Sequence, residues 1–101
     1  MIEAPIEQHL VKRVKETGGE VRKVIWPGRR GAPDRLVGWP EAGSGQRQLK
    51  AAHALVELKR PKKGAEAHQA REHARLRAIG FRVAVLSTIE AVDAFVEEMA
   101  R

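Results

Sequence analysis

Two short, mostly apolar runs separated by one helical stretch limit the folds open to this chain more than any other feature. Residues 53–59 and 81–86 have the composition of strands, and residues 65–79 between them have helical spacing and end at Gly80. Strands joined through a crossover helix pair parallel within one sheet. The chain is therefore expected to contain at least one parallel strand pair.

The part of the chain before this unit predicts a helix and two more strands. Residues 5–17 carry apolar side chains at every fourth position and stop at a glycine pair. Residues 20–26 and 34–39 have strand character, and the turn residues between them favour antiparallel neighbours. Residues 41–50 predict a flexible hairpin loop.

A final helix is predicted after Ser87-Thr88-Ile89-Glu90, which has the S-x-x-E form of a capping box. The element order is then α-β-β-β-α-β-α, which predicts an α/β fold with a central mixed sheet flanked by helices. A length of 101 residues predicts one domain spanning residues 1–101.

The charge of the chain favours a polyanionic partner. There are 19 Lys and Arg residues against 13 Asp and Glu residues, a formal net charge of +6. Clustered basic residues neutralise nucleic-acid phosphates and release counterions, although such a cluster can also be a solvated face. Two clusters are candidates for contact with DNA: Arg29 and Arg30 in one turn, and Arg60, Lys62 and Lys63 in another.

The absence of cysteine from the sequence excludes disulfides, thiolate zinc sites and a cysteine nucleophile. The sequence has no apolar run long enough for a membrane span, and its first residues do not resemble a signal peptide. We therefore expect a cytoplasmic protein with no membrane partner.

Three charged residues on the second and third strands form a candidate site. Glu57 and Lys59 are two positions apart, so their side chains leave the same face of the third strand, and Asp34 opens the second strand after Pro33. Carboxylates on neighbouring strands repel each other unless a cation lies between them. A hard divalent cation with oxygen ligands is the expected occupant.

These residues also carry a resemblance to a known family. The chain shows Gly31-x-Pro33-Asp34, then Val56-Glu57-Leu58-Lys59, then Gln69 and a Leu76-x-x-x-Gly80 helix end before the apolar strand. This ordered set resembles the PD-(D/E)xK nuclease superfamily. Together with the Ile6-Glu7 helix that leads into Gly18-Gly19, it is most similar to the VRR-NUC domain, of the type that stands alone in phages. The similarity extends from Glu3 to Val92.

The resemblance implies a restriction-endonuclease-like core and a role for each matching residue. Asp34, Glu57 and the backbone carbonyl of Leu58 would bind Mg²⁺ or Mn²⁺. Lys59 would hold or deprotonate the attacking water, or stabilise charge on the phosphate. Glu7 would be the third acid, with Glu3 as its competitor, and Gln69 would pack over the metal site.

The implied function is a metal-dependent DNA endonuclease that cuts branched DNA, such as Holliday junctions or flaps, in replication and repair. No small-molecule cofactor is expected. The alternative is a catalytically inactive DNA-binding module of the same fold. We also expect a homodimer, because cutting both strands of a symmetric junction needs two sites, with an interface in helix one and around Trp39. Two features depart from the family: a long loop over residues 41–53, and Trp26 before Pro27-Gly28.

Overall fold

A computed structural model describes residues 4–60 and 66–100 of the chain. The element order is the predicted one, with a short 3-10 turn added between the second and third strands. The helices and strands are α1 (Ala4–Glu16), β1 (Glu20–Lys23), β2 (Arg35–Trp39), β3 (Ala52–Leu58), α2 (Ala67–Ala78), β4 (Val83–Leu86) and α3 (Ile89–Met99). In this part of the chain no helix combines the length and apolar character that a membrane crossing needs.

The four strands form one mixed sheet in the order β1-β2-β3-β4. β1 pairs antiparallel with β2 and β2 antiparallel with β3, whereas β3 pairs parallel with β4 across the α2 crossover. The predicted mixed sheet, including its single parallel pair, is therefore confirmed. β3 has the predicted length of seven residues, whereas β1 and β4 are shorter than predicted; β1 ends at Lys23, shortly before the loop that leads to Asp34.

Helices cover the sheet on both sides, and the two faces have different cores. The first face packs against α1 and α3 (the α1/α3 face), where one apolar cluster includes Leu10, Val14, Val56, Val92 and Val96. The second face packs against α2 (the α2 face), where a smaller cluster is formed by Leu55, Leu76 and Val83. Alternation along β3 sends Val56 to one face and Leu55 to the other, as predicted.

The surfaces proposed for a dimer interface lie inside the protomer. Leu10 and Val14 of α1 are fully buried, and Trp39 is only 6% exposed. The Trp39 indole N–H donates to Thr17 Oγ1 at 2.8 Å, and its ring lies 6.3 Å from the ring of Phe95. The prediction of an interface here is wrong, because α3 already covers the apolar stripe of α1.

An ionic cluster joins α1 to α3 beside this core. Asp93 accepts from Arg13 Nε at 2.9 Å and lies 2.7 Å from His9 Nε2. The hydrogen bond from His9, followed by that from Arg13, holds the pKa of Asp93 below its usual value. The two helices are thus fixed to each other by polar as well as apolar contacts.

The cap of α3 differs from the prediction, and α2 has a capping box that was not predicted. α3 begins after Thr88, whose side chain accepts from the Ala91 amide, so the predicted capping box at Ser87 is wrong by one position. A capping box does occur at α2, where the Glu66 and Gln69 side chains each accept from the other residue's backbone N–H. A side-chain oxygen is needed at these positions because the first amides of a helix have no partner within it.

The loop over residues 41–50 closes as a hairpin. Ala42 and Leu49 exchange backbone hydrogen bonds of 3.0 and 2.6 Å, and the 3-10 turn Gly45–Arg47 lies between them. The loop follows β2 at Trp39, the end of that strand opposite Asp34.

Candidate functional site

The strand register brings the two predicted carboxylates together. Arg35 pairs with Val56, so one further step in the same antiparallel register places Asp34 opposite Glu57. On its other side Asp34 accepts from the Val24 amide at 2.9 Å, which keeps its backbone in line with the sheet. Directly opposed residues of an antiparallel pair have Cβ atoms about 4.5–5.5 Å apart. Both carboxylates thus stand at one end of the β2-β3 pair, on the same face.

Lys59 completes this cluster from the residue that follows β3. Its Nζ lies 3.8 Å from Glu57 Oε2, and the two side chains are only 15% and 14% exposed. The Lys59 amide donates to the Leu86 carbonyl at 2.9 Å, which continues the β3-β4 pairing beyond the strand. The structure therefore brings Asp34, Glu57 and Lys59 to one sheet end on the α2 face.

The loop that carries Asp34 is fixed at two points. The Trp26 indole N–H donates to the Pro33 carbonyl at 2.7 Å, and Pro33 itself is fully buried. Gly31 has a φ of +84° and packs on the start of α2, where a Cβ at this position would lie 2.9 Å from His68 Cδ2 and 3.2 Å from Gln69 Cα. Glycine is required here both for the left-handed backbone and for the close approach.

Arg35 connects the candidate site to α1. Its Nη1 lies 2.9 Å from Asp34 Oδ1, and its Nη2 forms an ion pair with Glu7. The Arg35 side chain is 14% exposed, so this pairing is shielded from solvent on the arginine side. Glu7 is therefore linked to Asp34 through a guanidinium.

Gln69 has a structural partner at the start of α2. Its side-chain oxygen accepts from the Glu66 amide at 3.0 Å as half of the α2 capping box. The same residue contacts Gly31 through its backbone, which places it against the loop that ends at Asp34. Gln69 thus lies beside the candidate site and caps the helix.

His73 is a buried polar residue one turn further along α2. It is 1% exposed, and its Nε2 has no hydrogen-bond partner within the described residues. Burial lowers its pKa, and the positive charges of Arg77 and Lys59 lower it further. Protonation of His73 is therefore disfavoured in the core of the α2 face, where the charge of Lys59 contributes to the effect.

The predicted DNA-contacting residues have different surroundings. Arg29 Nη1 lies 3.7 Å from the buried Glu72 carboxylate, while Arg30 and Arg60 are exposed. Lys62 and Lys63 lie outside the described residues, as does Glu3, the competitor for the role of third acid.

The donor set fits a hard divalent cation. Asp34 and Glu57 offer carboxylate oxygens, and the Leu58 carbonyl between Glu57 and Lys59 is a further oxygen of the kind that Mg²⁺ and Mn²⁺ accept. A metal held by protein ligands alone would need more than two acids. Residues 4–60 and 66–100 contain no group of three or more acidic, histidine or cysteine side chains placed to hold a metal. Such a site suits a metal that keeps waters and binds a substrate phosphate.

Comparison with solved structures shows that the whole fold is shared. A structure described as a VRR_NUC domain superposes with a TM-score of 0.80 and 33% sequence identity, covering 96% of each chain. Among curated proteins, "Putative nuclease p44" of Acyrthosiphon pisum secondary endosymbiont phage 1 is 43% identical over 86 residues, or 85% of this chain and 83% of the relative. No protein-family model matches the sequence.

The chain belongs to the VRR-NUC family. The resemblance in the ordered motifs is thereby confirmed, and so is the fold class.

The structure shows that two further residues of this VRR-NUC domain, Trp26 and Arg35, contact the segment around Asp34. Trp26 was expected to be a departure from the family, yet its indole supports the residue before Asp34. Arg35 was not singled out, although alternation along β2 places it on the α1/α3 face, opposite Leu36 on the α2 face. An arginine at an inward position of a short strand is a signal that could have indicated a carboxylate partner.

Proposed function

We propose that this VRR-NUC domain is a divalent-metal-dependent DNA endonuclease. One observation carries the proposal: the β2-β3 register opposes Asp34 to Glu57, and Lys59 Nζ stands 3.8 Å from Glu57. Two acids and an ammonium on one sheet end provide metal ligands and a cation for a phosphodiester. The family relationship supports the same activity.

Each residue has a separate task in this mechanism. Asp34, Glu57 and the Leu58 carbonyl would hold the metal, which when bound lowers the pKa of water and offsets charge on the phosphate. Lys59 orients the attacking water, or donates a hydrogen bond to the phosphate oxygen on which charge develops. Arg35, paired with Glu7 and Asp34, fixes the orientation of the Asp34 carboxylate.

The alternative of an inactive DNA-binding module is less well supported. Loss of catalysis in such a site would remove the need to place two carboxylates opposite each other. Carboxylates on directly opposed residues repel each other, even though Arg35 pairs with Asp34 and Lys59 with Glu57. Their retention together with Lys59 favours an active enzyme.

The experiment that tests this proposal compares amide variants at the site with a matched variant elsewhere. Asp34→Asn and Glu57→Gln should each lower the Mg²⁺-dependent cleavage rate by at least about a hundredfold, because each weakens metal binding. Glu41→Gln, at an exposed position of the 41–50 loop, should leave the rate unchanged. Near wild-type rates for both site variants, with no cleavage in EDTA, would contradict the assignment.

DNA binding is proposed to depend on the basic residues around the site: Arg29, Arg30, Arg60, Lys62 and Lys63. Their contacts would be to phosphates and would carry no base preference. Replacing Arg30 and Arg60 together with alanine should reduce the slope of log K against log salt by about 2, since each lost phosphate contact removes about one. An unchanged slope would assign these residues to solvation.

Branched DNA is the proposed substrate and a homodimer the proposed active form. One chain carries one set of Asp34, Glu57 and Lys59, so paired incision of a symmetric junction needs two chains held at a fixed separation. Light scattering should give twice the chain mass of 11.2 kDa at micromolar concentration. A monomer that cuts junctions at full rate would refute both parts of this proposal.

A further inference from the structure

A groove beside the candidate site combines an aromatic ring, aliphatic side chains and positive charge. It lies between the loop after β1 and the second half of α2, with a volume of about 470 Å³. This is within the range of about 300–1,000 Å³ typical of sites for small ligands. The groove, called the Trp26 groove below, is lined chiefly by Trp26, Arg29, Glu72, Arg75, Leu76 and Ile79.

The charged part of the Trp26 groove is organised by a buried acid. Glu72 is 3% exposed and accepts from Arg75 Nε and Nη2 at 3.0 and 2.8 Å, while Arg29 Nη1 lies 3.7 Å away. One carboxylate therefore orients two guanidinium groups, and one positive charge is left in excess. The two arginine side chains are about 60% exposed, so their remaining N–H groups can reach a ligand.

The apolar part of the groove is open to solvent. Ile79 is 74% exposed, and Trp26 is partly buried against the cluster of Leu55, Leu76 and Val83. Large apolar side chains gathered at one place and rimmed by arginines are characteristic of binding surfaces.

The combination favours one class of ligand. An indole ring offers a stacking surface for any base, and a pair of guanidiniums offers hydrogen bonds to a phosphate. A second copy of this chain fits less well, because a two-fold contact centred here would set Arg29 and Arg75 against their own counterparts. The overall charge of +6 likewise favours a polyanion.

We propose that the Trp26 groove binds an unpaired nucleotide of the DNA substrate, with its base against Trp26 and Ile79 and its phosphate on Arg29 and Arg75. This inference rests on the proposed nuclease function and specifies the substrate: DNA with a single-stranded segment next to the scissile bond. Duplex DNA keeps its bases stacked and paired, so it cannot fill the groove without paying the cost of unstacking.

The groove is also linked to the catalytic end of the sheet. The Trp26 indole that lines it donates to the Pro33 carbonyl, and Pro33 is bonded directly to Asp34. A base stacked on Trp26 is thus one hydrogen bond and one residue away from a proposed metal ligand. Binding in the groove would position the single strand and steady the loop that carries Asp34.

The test measures binding in EDTA, where no cleavage occurs, with a labelled single-stranded oligothymidylate and a duplex of equal length. Arg75→Ala and Ile79→Ser should each weaken single-strand binding about fivefold or more, because Arg75→Ala removes a hydrogen bond to the phosphate and Ile79→Ser removes an apolar contact to the base. Duplex binding should weaken less than twofold, because a paired and stacked base does not enter the groove. Lys12→Ala, an exposed position on α1, removes one charge on the other side of the sheet and should affect both DNAs equally.

Tryptophan fluorescence supplies an independent readout. The chain has two tryptophans, and Trp39 is buried, so quenching by oligothymidylate should come from Trp26 and disappear in Trp26→Phe. Equal losses on single-stranded and duplex DNA, or no quenching, would overturn the groove proposal while leaving metal-dependent cleavage intact. Failure to bind or cut any DNA would overturn the proposed function as well. A mass that falls from dimer to monomer in Ile79→Ser would instead make the groove a contact between copies.

Discussion

The two faces of the sheet are built for different purposes. On the α1/α3 face, two helices close over an apolar cluster that reaches from Ile6 to Met99, and many of its members are fully buried. On the α2 face, one helix covers a cluster of three buried apolar residues with Trp26, Leu36 and Phe81 packed against it, and four largely buried polar residues lie on the same face: Glu57, Lys59, Glu72 and His73. The α1/α3 face holds the larger apolar core, and the α2 face holds the proposed catalytic residues.

This difference shows how a chain of this size can hold a charged site. Burying a charge without a partner costs several kcal/mol, and a small domain has little stability to offset it. The α1/α3 face supplies one large apolar core, with its charged groups, such as Arg35 and the His9–Arg13–Asp93 cluster, beside that core. The same strand register determines positions on both faces. It packs Val56 into the core on one side and places Glu57 beside Asp34 on the other.

The largest expected effect on stability comes from truncating one leucine to alanine on each face of the sheet. Leu10→Ala, in the large cluster, should lower the free energy of unfolding by about 2–5 kcal/mol, and Leu55→Ala should fall at the lower end of that range. The α2 face can relax into the open Trp26 groove, so it forms a smaller cavity. Urea unfolding of both variants checks this difference. A greater loss for Leu55→Ala would show that the α2 face is the main source of stability.

A smaller loss of stability is expected when glycines of the loop before Asp34 are replaced by alanine. Gly31→Ala should cost about 1–3 kcal/mol and also lower the cleavage rate, because the new Cβ would push against His68 and Gln69 and shift the loop relative to α2. Gly28→Ala is the matched control: it has a similar φ of +74° but nothing within 4 Å of the added Cβ. It should lose stability through its backbone and keep its rate. Equal rates for the two variants would show that the contact with α2 does not position Asp34.

The smallest effect at neutral pH is expected for His73→Leu, which replaces a buried ring whose Nε2 lacks a partner in the described structure. Replacing a buried polar group that lacks a partner by an apolar group changes the free energy of unfolding little. The pH dependence should change more. The folded-state pKa of His73 lies below the ordinary value of 6.5, so the unfolded chain binds the proton first and stability falls as pH drops below about 6.5.

Thermal unfolding at several pH values between 7.5 and 5 measures this effect (the range is set by the usual histidine pKa of about 6.5). The wild-type protein should lose stability across this range, and His73→Leu should lose less of it. His53→Leu, at an exposed position on β3, is the control for removing a histidine and should follow the wild-type curve. Identical slopes for all three proteins would show that His73 takes up its proton as easily in the folded state as in the unfolded one.

Much of the architecture could be predicted from local patterns. The crossover helix required the parallel pair, and alternation along β3 separated Val56 from Glu57. The assembly of Asp34 with Glu57 followed from two strands that start and end at corresponding positions. These features depend on periodicity and chain connection, which a sequence shows directly.

Other features depend on contacts between distant segments and could not be predicted. The apolar stripe of α1 looked available for a partner because the sequence did not show that α3 packs on it. The bond from Trp26 to Pro33 and the bridge formed by Arg35 need a three-dimensional turn to bring their partners near. The shift of the α3 cap to Thr88 shows that two adjacent hydroxyl residues compete for one role, which only the backbone geometry decides.

The agreement between strand order in space and in the chain has a consequence for how the molecule folds. β1, β2 and β3 follow one another as neighbours, so closing the Asp34–Glu57 pairing involves a modest loss of chain entropy. β4 can join only after α2 has crossed the sheet. We expect the amides of β2 and β3 to gain protection from hydrogen exchange earlier during refolding than those of β4. The acids of the site would then meet while the α2 face is still wet, when water screens their repulsion.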